Sequence, residues 1–181
     1  MKIRNGFVSN SSSSSFVVLF PKEPQNVEDV KFLLFGDNDF FENPYIFGDE
    51  DTKGWSTDEV AKTVWNDICS QKKNDFEIAR ELIMSGYIED SDAPDLDNYD
   101  YIKNVRKRYD AYYVDLKKYA DSKLNKFFNM RKLKLKRINN KPIDDIVMYC
   151  FKYSDNEGDY FCALEHGDLF RRLKHIKISN H

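Results

Sequence analysis

Residues 4–20 read Arg4-Asn5-Gly6-Phe7-Val8-Ser9-Asn10, then five serines from Ser11 to Ser15, then Phe16-Val17-Val18-Leu19-Phe20. A serine tract near a chain end normally reads as a flexible linker. Here it lies between two short apolar stretches, which predicts a backbone turn inside a fold. Phe7-Val8 and Ser15 to Phe20 read as strands. The second is rich in Val and Phe and stops at Pro21. The other end of the chain supplies more strand signals. Ile146 to Tyr153 reads as one strand and Tyr160 to Leu164 as its partner, with Asp155-Asn156-Glu157-Gly158 as the hairpin turn between them. After Gly167 and a short helical turn, His175-Ile176-Lys177-Ile178-Ser179 alternates polar and apolar residues and reads as a final strand.

Helical patterns fill the middle. Asn26 is an N-cap for Val27 to Phe35, with Glu28 and Asp29 in the first turn and Gly36 closing it. Residues 36–55 read as loop, with the acidic run Asp49-Glu50-Asp51. Ser56 or Thr57 caps a helix that runs to about Lys72, and Asp75 caps another that runs through Met84 to Gly86. An acidic loop follows from Glu89 to Asp100. A long helix is predicted from about Tyr99 to Met130, because Ile102, Val105, Tyr109, Tyr112, Tyr113, Leu116, Tyr119, Leu124 and Phe127 recur at spacings of three and four. At 1.5 Å per residue it spans on the order of 45 Å, longer than a small domain needs, so it projects or breaks near Asp121-Ser122. Leu133 and Leu135 alternate with Lys132, Lys134 and Lys136 as a basic strand or a frayed helix end.

These signals predict a single α+β domain over residues 1–181. Its mainly antiparallel sheet comes from residues 1–20 and 131–181, and residues 21–130 form a mostly helical insertion that includes the long helix. The chain has 181 residues, 41% of them hydrophobic, which is enough to bury a core without staples. No apolar run reaches the roughly 18 residues of a membrane span. The serines interrupt any leader-like apolar region, so no secretory signal and no membrane partner are expected. Three widely spaced cysteines, Cys69, Cys150 and Cys162, read as free, buried thiols in a reducing cytoplasm.

The net charge of −3 conceals a strong polarity. Residues 1–100 carry 9 basic and 21 acidic side chains, whereas residues 101–181 carry 19 basic and 10 acidic ones. Such asymmetry implies a charged partner for at least one half, or mutual neutralisation of the two halves across a folded interface.

Four constellations carry chemical possibilities. Asn10, Ser11, Ser12 and Ser13 offer hydroxyls and backbone N–H groups to an anion, although no glycines and no helix follow as a phosphate loop requires. Asp90, Asp92, Asp95, Asp97 and Asp100 form an acidic surface that imitates a phosphate backbone by charge complementarity; otherwise they form a solvated loop. Arg106, Lys107, Arg108, Lys117, Lys118, Arg131, Lys132, Lys134 and Lys136 form a basic surface interleaved with tyrosines. It is suited to phosphates and unpaired bases, or it is the solvated face of an amphipathic helix with a tyrosine core stripe. Glu165, His166, His175 and His181 are candidate metal ligands for phosphodiester chemistry. His175 and His181 lie about 20 Å apart along an extended strand, so only a subset converges. The plainer alternative is a buried Glu165–histidine pair that fastens the last strand. No nucleophile elbow, Walker loop or dinucleotide fingerprint is present, so the balance leans away from an enzyme and no cofactor is expected.

The two ends also carry a resemblance. Asn5 to Phe16, Ser154 to Gly158, Glu165-His166-Gly167 and His175 to His181 resemble a family of bacteriophage and bacterial mobile-element proteins. That family has an Asn-Gly-Phe-Val-Ser-Asn-polySer-Phe leader, an acidic Ser-Asp-x-x-Gly turn, a Glu-His-Gly step and a His-Ile-x-Ile-Ser-x-His ending. The resemblance carries a setting rather than a chemistry. It implies a protein in the cytoplasm of a bacterial host that binds a host protein or nucleoprotein complex and inhibits a defence nuclease, as anti-CRISPR proteins do. The alternatives are a metal-dependent phosphodiesterase or nuclease at the Glu/His cluster, and a nucleic-acid-binding module on the basic helix.

Overall fold

The computed structural model describes residues 13–42, 44, 54–86, 88, 92–139 and 146–180, with the backbone alone for 130–139. Its centre is strand β1, Ser13–Phe20, whose side chains from Ser14 onward are all buried. The run shows no polar alternation because both faces of the strand are covered. Phe16, Val18 and Phe20 face one apolar cluster, and Val17 and Leu19 face another. Helix α1 (Val27–Phe35), strands β2 (Phe40–Glu42) and β3 (Gly54–Ser56) and helix α2 (Thr57–Ser70) follow, then helix α3 (Phe76–Ser85), a 3₁₀ turn (Leu96–Tyr99) and helix α4 (Val105–Asn139). Strand β4 (Val147–Ser154), a 3₁₀ turn (Asp155–Glu157), helix α5 (Asp159–His166) and strand β5 (Lys174–Asn180) complete the order.

The main sheet has the order β4-β1-β5, antiparallel throughout, so the ends of the chain share one β-layer and the fold is α+β. Phe20 faces Val147, and Val17 faces both Cys150 and Ile176. One face of the sheet packs on α1, α2 and α5 through a cluster that includes Phe16, Phe151 and Phe170, with Phe151 and Phe170 ring centroids 4.8 Å apart. The other face packs on α3 and α4 through Ala79, Ile83, Ala120, Leu124 and Phe127. β2 and β3 form a small antiparallel pair at the rim.

The caps follow the sequence. Asn26 accepts the Asp29 N–H, Ser56 that of Asp58, and Asp75 those of Glu77 and Ile78. Four expectations are corrected, the first being that residues 36–55 are loop: Phe40–Glu42 and Gly54–Ser56 are paired strands. Tyr160 to Leu164 is not a strand: Asp155–Glu157 is a 3₁₀ turn, Gly158 has φ of +102°, and Asp159–His166 is helical. The hairpin is absent because β1 already occupies the inner edge of β4. The long helix starts at Val105, after an Asn104 side chain that accepts the Lys107 N–H, and continues to Asn139. The segment 131–139 is therefore helix and not sheet, and the sheet-forming C-terminal part begins at Val147. The serine tract does not turn at Ser13 to Ser15, which are strand; Phe7-Val8, Asn10, Ser11 and Ser12 lie outside the described residues, as does Asp49-Glu50-Asp51.

The outer edge of β4 is covered by the α2–α3 connection. The Asn74 N–H donates to the Met148 carbonyl at 2.8 Å, and its side-chain oxygen accepts the Met148 N–H at 2.8 Å. The Gln71 side chain accepts the Cys150 N–H at 2.9 Å. Asn74 holds φ of +58°, a region that Asn tolerates and most residues avoid. Asn74→Ala is expected to cost about 2 kcal/mol in urea unfolding, from one lost hydrogen bond plus left-handed strain. An unchanged midpoint, or unchanged exchange protection of the Met148 amide, would show that this clasp contributes nothing.

Candidate interaction surface on the long helix

Helix α4 carries one continuous apolar stripe. Val105, Tyr109, Tyr113, Leu116, Ala120, Leu124 and Phe127 follow one another at intervals of four or three residues, which keeps them on one face. From Leu116 onward the stripe is buried against α3 and the sheet. Before Leu116 it is bare, with Val105 62%, Tyr109 44% and Tyr113 53% exposed. The helix is longer than the body it packs on, so its inward face runs out of partners within one turn.

The preceding segment is fastened beside this bare stretch. Asp95 accepts the Asp97 N–H and opens the 3₁₀ turn. The Tyr99 ring meets Tyr112 edge-on at 6.0 Å, and its hydroxyl donates to Asp115 at 2.8 Å. Arg108 pairs with Asp100 at 2.6 Å and donates to the Ile102 carbonyl. Lys118 pairs with Asp115 at 2.9 Å. The Lys118 ammonium, and then the Tyr99 hydroxyl, hold the Asp115 carboxyl below its ordinary value, while the same carboxylate raises the Tyr99 phenol.

The acidic segment and the first part of the basic surface, Arg106 to Lys118, thus lie at the N-terminal end of α4, whereas Arg131, Lys132, Lys134 and Lys136 fall in its last turns. Asp92, Asp95 and Asp97 are exposed at the N-terminal end, as are Arg106, Lys107 and Lys117. Asp100 pairs with Arg108, and Lys118 with Asp115, yet the Asp100 side chain stays 65% and that of Lys118 72% exposed. Asp90 lies outside the described residues, as do the side chains of Arg131, Lys132, Lys134 and Lys136. Sequence periodicity placed Tyr109 and Tyr113 on the core stripe. Only the length of the helix signalled that part of the stripe projects.

The described members of the other two constellations make structural contacts. Ser13 sits in β1 between Ser154 and Asn180, and the Ser14 hydroxyl donates to a Glu165 carboxylate oxygen at 3.1 Å, a neighbour that repels anions. The second Glu165 oxygen accepts the Asp155 N–H at 3.1 Å, and His166 Nε2 lies 3.5 Å from the first. His175 does not join them. It pairs with Val18, four residues along β1 from Ser14, or about 13 Å. Its ring packs on Phe16 and Phe170, and its Nδ1 meets the Leu173 carbonyl. His181 lies outside the described residues, among which no group of three potential ligands could hold a metal ion. The Glu/His metal site is therefore not assembled by the described residues. None of the three thiols is fully buried as expected: Cys150 and Cys162 are half-buried and Cys69 is exposed; desolvation pushes Cys150 up to about 12 and raises Cys162, so neither is poised as a thiolate. No described helix is long and apolar enough to cross a membrane.

Compared with protein-family models, curated proteins and solved structures, the chain matches none.

Proposed function

We propose that this is a non-catalytic binding protein of a mobile genetic element that docks the projecting end of α4 on a host defence nuclease, or on its nucleoprotein complex, and inhibits it. The observation that carries the reading is the exposed Val105–Tyr109–Tyr113 stripe, with Arg106 and Lys117 beside it on the helix and Asp92, Asp95 and Asp97 exposed in the segment that packs on Tyr112. Exposed aromatics beside charge of both signs form the composition of a specific contact: rings supply affinity, charges supply steering and register. The likeness of the chain's ends to phage and mobile-element proteins supports the choice of partner class and of the bacterial cytoplasm as the setting.

The test is inhibition of purified host effector nucleases, beginning with RNA-guided ones. Asp92→Lys/Asp95→Lys/Asp97→Lys and Arg106→Glu/Lys107→Glu/Lys117→Glu are each expected to weaken inhibition by about tenfold or more, mostly through the association rate. Full inhibition by both triple variants would remove the reading.

The juxtaposition of Tyr109 and Tyr113 with Arg106 and Lys117 also favours a second reading, direct binding of single-stranded nucleic acid. Its mark is an affinity that falls steeply and linearly with salt on logarithmic axes, in the absence of any partner protein.

A further inference from the structure

The central sheet has two edges, and the fold treats them differently. On β4 the outward backbone groups of Met148 and Cys150 are satisfied by Asn74 and Gln71. Because Met148 faces away from β1, its partner Leu19 turns its own N–H and C=O towards β5, and so do Val17, Ser15 and Ser13 by alternation. On β5, therefore, Lys174, Ile176, Ile178 and Asn180 bond β1, while His175, Lys177 and Ser179 point their backbone groups outward. Gly86 closes the Ser179 end: a β-carbon there would lie 3.1 Å from the Ser179 carbonyl. Among the described residues nothing bonds the outward N–H and C=O of His175 or Lys177.

We propose that this open stretch of β5 is a docking edge for an extended acidic segment of a partner protein, added as a fourth antiparallel or parallel strand. Main-chain hydrogen bonds to His175 and Lys177 hold such a strand, and side-chain charge selects it. Lys174 is exposed on one face of β5 and Arg171 in the turn before it; Lys177 is exposed on the other face, where its ammonium also donates to the Glu165 carbonyl at 3.1 Å. A neutral or basic strand meets these cations unfavourably, as edge lysines are known to do to unwanted strands, whereas glutamates or aspartates pair with them. This surface lies on the sheet and not on α4, so it stands or falls apart from the binding reading above.

The experiment uses the full chain and a fluorescein-labelled decapeptide that alternates Glu and Thr, with a Lys/Thr decapeptide as control. Anisotropy is expected to show saturable binding of the acidic peptide alone, weakened about tenfold or more by Arg171→Glu/Lys174→Glu, two exposed substitutions. Amide exchange followed by NMR supplies the geometric arm. In the unbound protein the Ile176 and Ile178 amides are expected to be protected and those of His175 and Lys177 to exchange fast. Peptide should slow the latter two by about tenfold or more. Absence of binding up to about 1 mM peptide, binding without protection of His175 and Lys177, or equal binding of the Lys/Thr peptide would each overturn the proposal. Protection of those two amides that rises with protein concentration alone would also overturn it, by making a second copy of the chain the occupant.

Discussion

Glu165→Ala is expected to destabilise the protein by about 3 kcal/mol, one of the largest losses available to a single polar side chain in this fold. Glu165 is 1% exposed, yet its carboxylate is satisfied on both oxygens. One accepts the hydroxyl of Ser14, itself buried, and the other accepts the N–H of Asp155. Its own backbone carbonyl accepts the Lys177 ammonium at 3.1 Å. A single residue of α5 thus ties the start of β1, the end of β4 and, through its main chain, β5. Alanine leaves a buried hydroxyl and the Asp155 N–H without this acceptor, each worth about 1–3 kcal/mol, and adds a small cavity. Glu165→Gln retains one acceptor oxygen and should lose only about half as much, while Lys177 keeps its carbonyl in both variants. Urea unfolding decides the matter: an alanine variant within about 1 kcal/mol of the parent would mean that the clasp is not what joins the chain ends.

The same clasp shows which parts of the structure sequence reasoning could reach. Local signals held where the physics is local. Asn26, Ser56 and Asp75 cap the helices that they precede, because a cap needs only backbone N–H groups two or three residues away. The strand nature of Phe16 to Phe20 was legible from β-branched and aromatic residues. Its central position was not, because a run buried on both faces looks the same whichever strands flank it. Phe161-Cys162-Ala163-Leu164 reads equally as strand or helix. What decides it is that β4 takes its partner from the opposite end of the chain, Val147 against Phe20, which no local window contains. Lys132 to Lys136 likewise mimics strand alternation inside a helix that has already been propagated from Val105. Charge composition revealed the acidic and basic surfaces, but their meeting depends on the Tyr99–Tyr112 and Asp100–Arg108 contacts, which fold 3₁₀ turn onto helix. Periodicity assigned Tyr109 and Tyr113 to a face. It carries no information on whether another element covers that face.

That gap yields the sharpest separation of folding from function. Tyr109→Glu/Tyr113→Glu is expected to weaken partner binding about 100-fold or more, a loss of about 2.7 kcal/mol, while moving unfolding stability by less than about 0.5 kcal/mol. Leu124→Ala, on the same stripe about three turns beyond Tyr113, is expected to do the reverse. It should cost about 3 kcal/mol of stability and leave the affinity of the folded protein unchanged. The two tyrosines and the leucine belong to one helical face and differ in cover: the tyrosines are about half exposed, and Leu124 is 3% exposed beneath α3 and the sheet. An apolar group already in water loses little when it becomes charged, unless a partner was going to remove it from water. Binding and stability must therefore respond oppositely along the stripe if the projecting turns of α4 form the contact. Should the double glutamate variant unfold as readily as Leu124→Ala, the stripe would be core throughout. Should it keep full binding, the contact would lie elsewhere, and the acidic and basic residues around Tyr109 and Tyr113 would be a solvated helix end.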